Sequence, residues 1–330
     1  MKAAGLPAWR VDRELLLGLA AVVALLVLPL LVSEWRLVEM ARYFSYMMLA
    51  ASLAWVWGHC GLLCLGQAVF FGIGAYAMSV VTLGKLPMLP QLQSMWVGLL
   101  VAVALAAIFA WLLGLLFFSS AGLGGAFFGI ATLAVAFIVE RIAINWTYLG
   151  GLNGLMNVPA LRFGLNGGEE RFDEYLVYFL GLLLVILLVG FLLAAGRSDW
   201  GRVMTAVRNQ PQRAEALGVD IAAEKTRAFV LGAVVAAIAG AFFVTQFNFV
   251  SPPLIGFSLS AEALIWVAVG GRTSVVAAAL GALLVRLLES WLSQWLGDYW
   301  LLALGTTFVM VVVALPRGLL GQWVARPRHG

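Results

Sequence analysis

Charge is scarce in this chain. Asp, Glu, Lys and Arg make up 11% of its 330 residues, where soluble domains carry about 25%. Lysine occurs only at Lys2, Lys85 and Lys225, none within a G-x-x-x-x-G-K-[ST] run, so the chain has no Walker-type loop for nucleotide phosphates. Cysteine occurs only at Cys60 and Cys64. That excludes a disulfide framework. The two thiols are four residues apart beside His59, with no further Cys or His near, and read as buried thiols rather than metal ligands. Carboxylates are thin within the apolar runs, where Glu262 stands isolated. The paired acids of a proton relay are therefore missing, which weighs against an ion-coupled secondary transporter. No nucleophile, histidine and acid constellation is visible, which weighs against an intramembrane enzyme.

What fills the chain is apolar. Hydrophobic residues reach 63% and mean hydropathy is +1.01. The fold class this implies is all-α: a polytopic helical membrane protein of about ten spans, at about 20 residues per span. Lys2, Arg10 and Arg13 precede an apolar run from Leu15 to Val32. It is long enough to span, and no small-residue cleavage site follows, so it reads as a retained first span, with Trp35 as an interfacial anchor. Apolar segments follow at Tyr43–Trp57, 58–81, Met95–Phe118, Phe127–Ile144, Tyr175–Ala195 and Arg227–Phe247. A further apolar stretch is broken by Gly270 and Gly271, with Arg272 marking an aqueous end, and the last span is Trp300–Leu315. Connections are read at Lys85–Gln93, Ser119–Gly125, Asn145–Glu174 and Asn248–Leu259. Gly232, Ala236 and Gly240 form a small-residue stripe that permits close helix contact. Arg286 and Glu289, three apart, can pair on one helix face; a neutralised pair near the outer interface is the preferred reading and a substrate site the alternative.

One long polar stretch interrupts this pattern, from Arg197 to Leu231. Arg197, Arg202, Arg208, Arg213, Lys225 and Arg227 all fall in it. Placing an arginine at the bilayer centre costs roughly 3 kcal/mol, so the stretch lies in water between two spans. Val203, Ala206 and Val207 recur at helical spacing. Pro211 suits the first position of a second short helix and Gly218 its close; Asp220 suits the cap of the span that follows. Helix, turn, helix, span describes a rigid platform on the membrane surface. If that platform is cytoplasmic, thirteen of the twenty Lys and Arg residues fall inside and six outside, with Arg286 within a span. This is the sign the positive-inside rule requires, and it puts both termini inside.

The order GR, AVRNQPQRAEALGVD, then K-T-RAFVLGAVVAAIAGAF resembles the coupling loop of ABC importer permeases, most closely the branched-chain amino acid and urea branch. GLLCLGQAVFFGIGAY resembles that family's first membrane motif, at Gly66, Gly72, Gly74 and Tyr76. YLGGLNGLMNVPAL resembles its external Gly-Gly-x-Asn-Gly motif, at Gly150, Gly151, Asn153 and Gly154. IWVAVGGR, with Gly270 and Gly271, and the ending LPRGLLG are also similar. The chain departs at LGGAFFGIATLA, where the family has Arg-Gly-x-Tyr-Phe, so any role of that Arg and Tyr does not carry over.

The resemblance implies a permease domain over 15–315, with its coupling loop at 197–227, between cytoplasmic tails at 1–14 and 316–330. It implies a bacterial inner-membrane location and docking of the loop on an ATPase through Arg202, Val207, Arg208, Asn209, Arg213, Ala214, Leu217 and Gly218. Partners would be a homologous second permease, two ATPase subunits and a periplasmic binding protein. ATP would sit on the partner ATPases and no cofactor on this chain. Polar groups expected along the path are Gln67, Thr132, Gln246 and Glu262, with an interhelical hydrogen bond an equal reading of Gln67 and a place at the outer end of its span the preferred reading of Glu262. With no fixed charge well, the path suits a small solute of no net charge: a branched-chain or related amino acid, or alternatively urea or a short amide.

Overall fold

The computed structural model describes residues 13–86, 93–119, 125–161, 173–299, 305–306 and 318–324. Most of the expected last span 300–315, most of both tails and the loop residues 87–92, 120–124 and 162–172 lie outside the described residues. Within them the chain forms helices α1 (Arg13–Val27), α2 (Glu34–Ala54), α3 (Gln67–Thr82), α4 (Met95–Phe118), α5 (Ala126–Asn145) and α6 (Glu174–Arg197). After these come α7 (Asp199–Asn209), α8 (Pro211–Ala216), α9 (Ile221–Phe247), α10 (Phe257–Gly270), α11 (Val275–Leu296) and α12 (Gly321–Val324).

Six of these are long and apolar enough to cross a membrane: α1 with its 3-10 extension to Leu30, α4, α5, α6, α9 and α11. Two more apolar helices, α3 and α10, have 16 and 14 residues. The second segment begins at Glu34 rather than Tyr43. Ser33 holds an extended backbone at the N-cap position, and the polar turns of Glu34, Arg36 and Glu39 precede the apolar part. At its other end α2 widens into a π turn, Trp55–His59.

The described residues are mostly helical, as expected, with one short strand pair besides. Leu155–Met156 (β1) pairs antiparallel with Phe249–Val250 (β2), with Leu155 opposite Val250. Two loops meet here at one end of the bundle. Asn248 Nδ2 donates to Val158 O at 2.8 Å, and Val158 N to Asn248 O at 3.1 Å. A Cβ on Gly154 would lie 2.0 Å from Val250 O, so only glycine lets these backbones come together.

The bundle is organised around α9. Its most apolar stretch is 78% buried, against 22% for α4 and 28% for both α5 and α6. Hydropathy alone cannot rank them, because a lipid-facing helix is as apolar as a central one. Small residues set the ranking. A Cβ on Gly74 would fall 2.0 Å from Ala237 O, and one on Gly240 1.8 Å from Phe71 O, so α3 and α9 touch backbone to backbone. The expected stripe of Gly232, Ala236 and Gly240 is buried, with Gly240 against α3 and Gly232 against Val56 and Ser52 of the α2 segment. Aromatic rings close the flanks: Phe71 meets Phe243 at 5.3 Å, and Phe128 packs on Phe118 and Phe229 at 5.4 and 5.5 Å.

Gly240→Val forces α3 and α9 apart. It is expected to destabilise the folded permease by about 1–3 kcal/mol or more, read as a lowered unfolding temperature of the detergent-solubilised protein. Gly190→Val on α6, where a Cβ would meet nothing within 4 Å, is the control expected to unfold near the wild-type temperature.

Candidate functional site

The polar platform forms as its sequence dictates. Ser198 caps α7 by accepting from Gly201 N at 3.3 Å. Helix α7 turns Gly201, Met204 and Val207 inward and leaves Arg202 paired with Asp199 at 3.0 Å on its exposed side. Pro211 opens α8. Gly218 closes it with φ +87°, donating to Glu215 O at 2.8 Å while Val219 N reaches Ala214 O at 3.1 Å. Asp220 then caps α9, accepting from Ala223 N at 3.0 Å.

This geometry divides the eight expected coupling residues. Arg202, Asn209, Arg213, Leu217 and Gly218 lie on the exposed surface, with Leu217 82% exposed. Val207 and Ala214 instead face the bundle, at 1% and 4%, because they occupy the apolar side of their helices and hold the platform down. Arg208 does neither alone. Its Nη1 donates to Gly58 O in the π turn, and its Cγ lies 3.0 Å from where a Gly61 Cβ would stand.

Tryptophans complete the attachment. Trp200 of α7 lies 5.6 Å from Trp55 and donates Nε1 to Glu224 Oε2 at 2.5 Å. Trp55 stacks on His59 at 4.9 Å and donates to Ala228 O at 3.1 Å. The platform is thereby tied both to the end of α2 and to the start of α9. Sequence reasoning missed this joint; the only signal was the placing of Trp55, Trp57 and Trp200 at polar–apolar borders.

The four polar residues expected along a path are dispersed. Gln67 is fully buried and donates Nε2 to Ser52 Oγ at 3.0 Å and to Gly232 O at 3.2 Å, linking α3 to α2 and α9. Thr132 is 3% exposed; its hydroxyl accepts from Leu65 N at 3.1 Å and bonds back within α5. Neither faces an open surface, since buried polar groups take the partners that packing offers. Gln246 lines a cavity of about 100 Å³ with Arg42, Glu174, Thr245 and Asn248. Glu262 is 47% exposed and pairs with Arg286 at 3.2 Å. So Arg286, read from sequence as paired with Glu289 alone, bridges both carboxylates, and Glu262, read as isolated, belongs to a charged cluster that only the packing of α10 on α11 assembles. Among the described residues no group of three or more His, Cys, Asp or Glu is placed to hold a metal ion, and Cys60 and Cys64 are free and buried.

The family described as "Branched-chain amino acid transport system / permease component" matches residues 37–315. The chain belongs to this family. The permease is 31% identical over 327 residues to the high-affinity branched-chain amino acid transport system permease protein LivM of Escherichia coli K12, covering 90% of this chain and 74% of the relative. It is 23% identical over 295 residues to LivH of the same-named system in Salmonella typhimurium, covering 84% and 92%. The autoinducer 2 import system permease protein LsrC of Yersinia enterocolitica matches at 28% over 202 residues, covering 58% and 56%. No solved structure matches the chain. It is a transport-system permease subunit of a multi-pass bacterial inner-membrane type, and its family is that of paired ABC permeases.

The motif glycines of the permease stand at close approaches. Cβ atoms would fall 2.4 Å from Thr132 O at Gly66, 2.3 Å from Ile255 Cγ1 at Gly72 and 2.1 Å from Ala277 O at Gly270. Gly150, Gly151 and Gly271 hold positive φ. Tyr76 is buried on α3, and Asn153 ends a short 3-10 turn on the surface.

Gly218 gives a clean test of platform geometry. A Cβ there would meet nothing within 4 Å, yet φ is +87°, so a substitution is penalised by backbone conformation alone. Gly218→Val is expected to reduce substrate uptake several-fold with the protein still in the membrane. Gly218→Asn, which tolerates the left-handed region, is expected to keep most of it. Uptake into cells alongside the monodispersity of each purified variant checks both.

Proposed function

We propose that this chain is one of the two membrane subunits of an ABC importer for branched-chain amino acids. The observation that carries the reading is the family match across residues 37–315, together with relatives named for that transport, one of them aligned over 90% of this chain. In this reading 15–315 is the permease domain and 1–14 and 316–330 are cytoplasmic tails. The six long helices, α2, α3, α10 and the apolar 300–315 make ten crossings. The loop at 197–227 is the cytoplasmic coupling element. Its exposed Arg202, Asn209, Arg213, Leu217 and Gly218 contact an ATPase, Val207 and Ala214 anchor it, and Arg208 transmits its movement to the end of α2.

Hydrolysis of ATP belongs to two separate ATPase subunits, and a periplasmic binding protein delivers the substrate to a path shared with a second, homologous permease. The grouping of ends supports the orientation. Ser274 Oγ donates to Glu14 Oε1 at 2.6 Å, Arg272 sits over Trp57 and Arg208 reaches Gly58. All the basic segments assigned inside that are described thus gather at the platform end. Tyr148, which donates to Lys85 O, lies at the other.

Two measurements test this. With Cys60 and Cys64 replaced by Ala, Leu152→Cys is expected to react with an impermeant maleimide on intact cells and Ser198→Cys only after lysis; the reverse pattern would overturn the topology. Deleting the gene is expected to abolish high-affinity uptake of labelled leucine and leave urea uptake unchanged, and loss of urea uptake alone would move the assignment to the urea branch.

A further inference from the structure

Arg286 lies about 17 Å along α11 from Val275, at 1.5 Å per residue. Counted from that end of α11, it falls near the centre of a hydrocarbon core about 30 Å thick, not at the outer interface where the sequence reading put the pair. Its side chain is 15% exposed. Nη1 donates to Glu289 Oε2 at 2.6 Å, and Nη2 pairs with Glu262 Oε2 at 3.2 Å. The guanidinium carbon stands 4.0 Å from the ring centroid of Tyr46 and 5.1 Å from that of Trp266. Its buried Nε has no hydrogen-bond partner among the described residues. On α2, Glu39 accepts from Ser290 Oγ at 2.8 Å and from Tyr43 Oη at 2.5 Å, bringing a third carboxylate to the cluster. One guanidinium therefore faces two carboxylates, an excess of acid, with Glu39 linked to the same helix through Ser290.

The two carboxylates on Arg286 are not equivalent. Glu289 stands three residues along the same helix, at the shorter distance, and is 23% exposed. Glu262 reaches across from α10 at the longer distance and is 47% exposed. A half-exposed carboxylate at this depth is incompatible with lipid on its open side. It requires water or a polar partner there, and charged groups so placed line pathways or cavities. Glu262 is thus the partner that can leave, and it leaves toward a wet surface. Glu289 and the two rings are the ones that stay.

We propose that the Glu262–Arg286 pair is a binding site for the zwitterionic head of the transported amino acid. This rests on the amino acid reading above. The α-carboxylate takes the place of Glu262 on Nη2 and reaches the unpartnered Nε, in the two-pronged geometry that guanidinium favours. The released Glu262 carboxylate receives the α-ammonium. The ligand brings one charge of each sign, so no charge is left unpaired on entry or exit, and the closed pair holds the site when it is empty. Excess acid favours a head group carrying an ammonium over a carboxylate alone. Urea has no charges with which to part the pair. The site reads the head group and leaves the side chain to be selected elsewhere.

The test uses the permease with its partner permease, ATPases and binding protein in proteoliposomes. Glu262→Gln keeps the shape and a hydrogen bond to Arg286 but removes the charge that would hold the ammonium. Leucine uptake is expected to fall at least tenfold, while ATP hydrolysis stimulated by loaded binding protein stays within twofold of wild type. Uptake within twofold of wild type overturns the proposal. So does a joint loss of uptake and stimulated hydrolysis in an assembled complex, which marks a purely structural pair. If Glu262→Gln does not assemble, Glu262→Cys is labelled with a small cationic methanethiosulfonate. Labelling slowed at least threefold by leucine with its binding protein is expected, and absent labelling or absent protection overturns the site. Failure of the amino acid reading itself is distinct, because wild type would then take up no leucine.

Discussion

The approach of α3 to α9, where Gly74 stands against the backbone of Ala237 and Gly240 against that of Phe71, is the constraint on which the rest of the bundle depends. Lipid is as apolar as a leucine side chain, so hydrophobicity gives helices in a membrane little reason to choose one another. Close packing and interhelical hydrogen bonds do. Here both occur along one seam. The glycines remove the side chains that would hold the axes apart, and Gln67 crosses the same seam to Ser52 and Gly232. Once α3 and α9 touch, α2 and α4 have a surface to pack on, and α10 and α11 pack in turn on α2, while α5 and α6 keep broad faces outward.

That seam also fixes what the platform can move. Asp220 ends the platform and begins α9 in one residue, and Trp200 and Arg208 bind α7 to the π turn that ends α2. A displacement of α7 therefore acts on two central helices at once rather than on a slack linker. The widened turn at Trp55–His59 is suited to this, since π turns break the regular ladder and leave carbonyls such as that of Gly58 free to accept from outside the helix. The proposed coupling accordingly runs through a joint of rings and one guanidinium, with the exposed Arg202, Arg213 and Leu217 as its outer surface.

The ionic cluster around Arg286 is set by the same packing. It joins α2 to the consecutive helices α10 and α11: α2 gives Tyr46 and Glu39, α10 gives Glu262 and Trp266, and α11 gives Arg286 and Glu289. A guanidinium at mid-membrane depth persists because carboxylates and rings replace the water it has lost. The uncharged candidates behave oppositely. Gln67 Nε2 and the Thr132 hydroxyl are taken up by helix-to-helix and helix-to-loop bonds, and both side chains are buried.

The sequence by itself determined the local features: the apolar helices, the polar platform, the opening of α8 by Pro211, the turn at Gly218, the cap at Asp220 and the buried stripe of Gly232, Ala236 and Gly240. Each depends on residues within a few positions of one another, where periodicity, capping and backbone conformation act. The family was legible for a related reason, since its motifs mark close contacts and turns that tolerate few residue types. Tertiary structure alone decided which helices are central, because hydropathy is the same for a lipid-facing and a buried helix. It alone decided that Val207 and Ala214 face inward, that α2 begins at Glu34, and that two loops pair as β1 and β2. It alone joined Glu262 to Arg286 across 24 positions of sequence, because only the packing of α10 on α11 brings two charges so distant in the chain within reach.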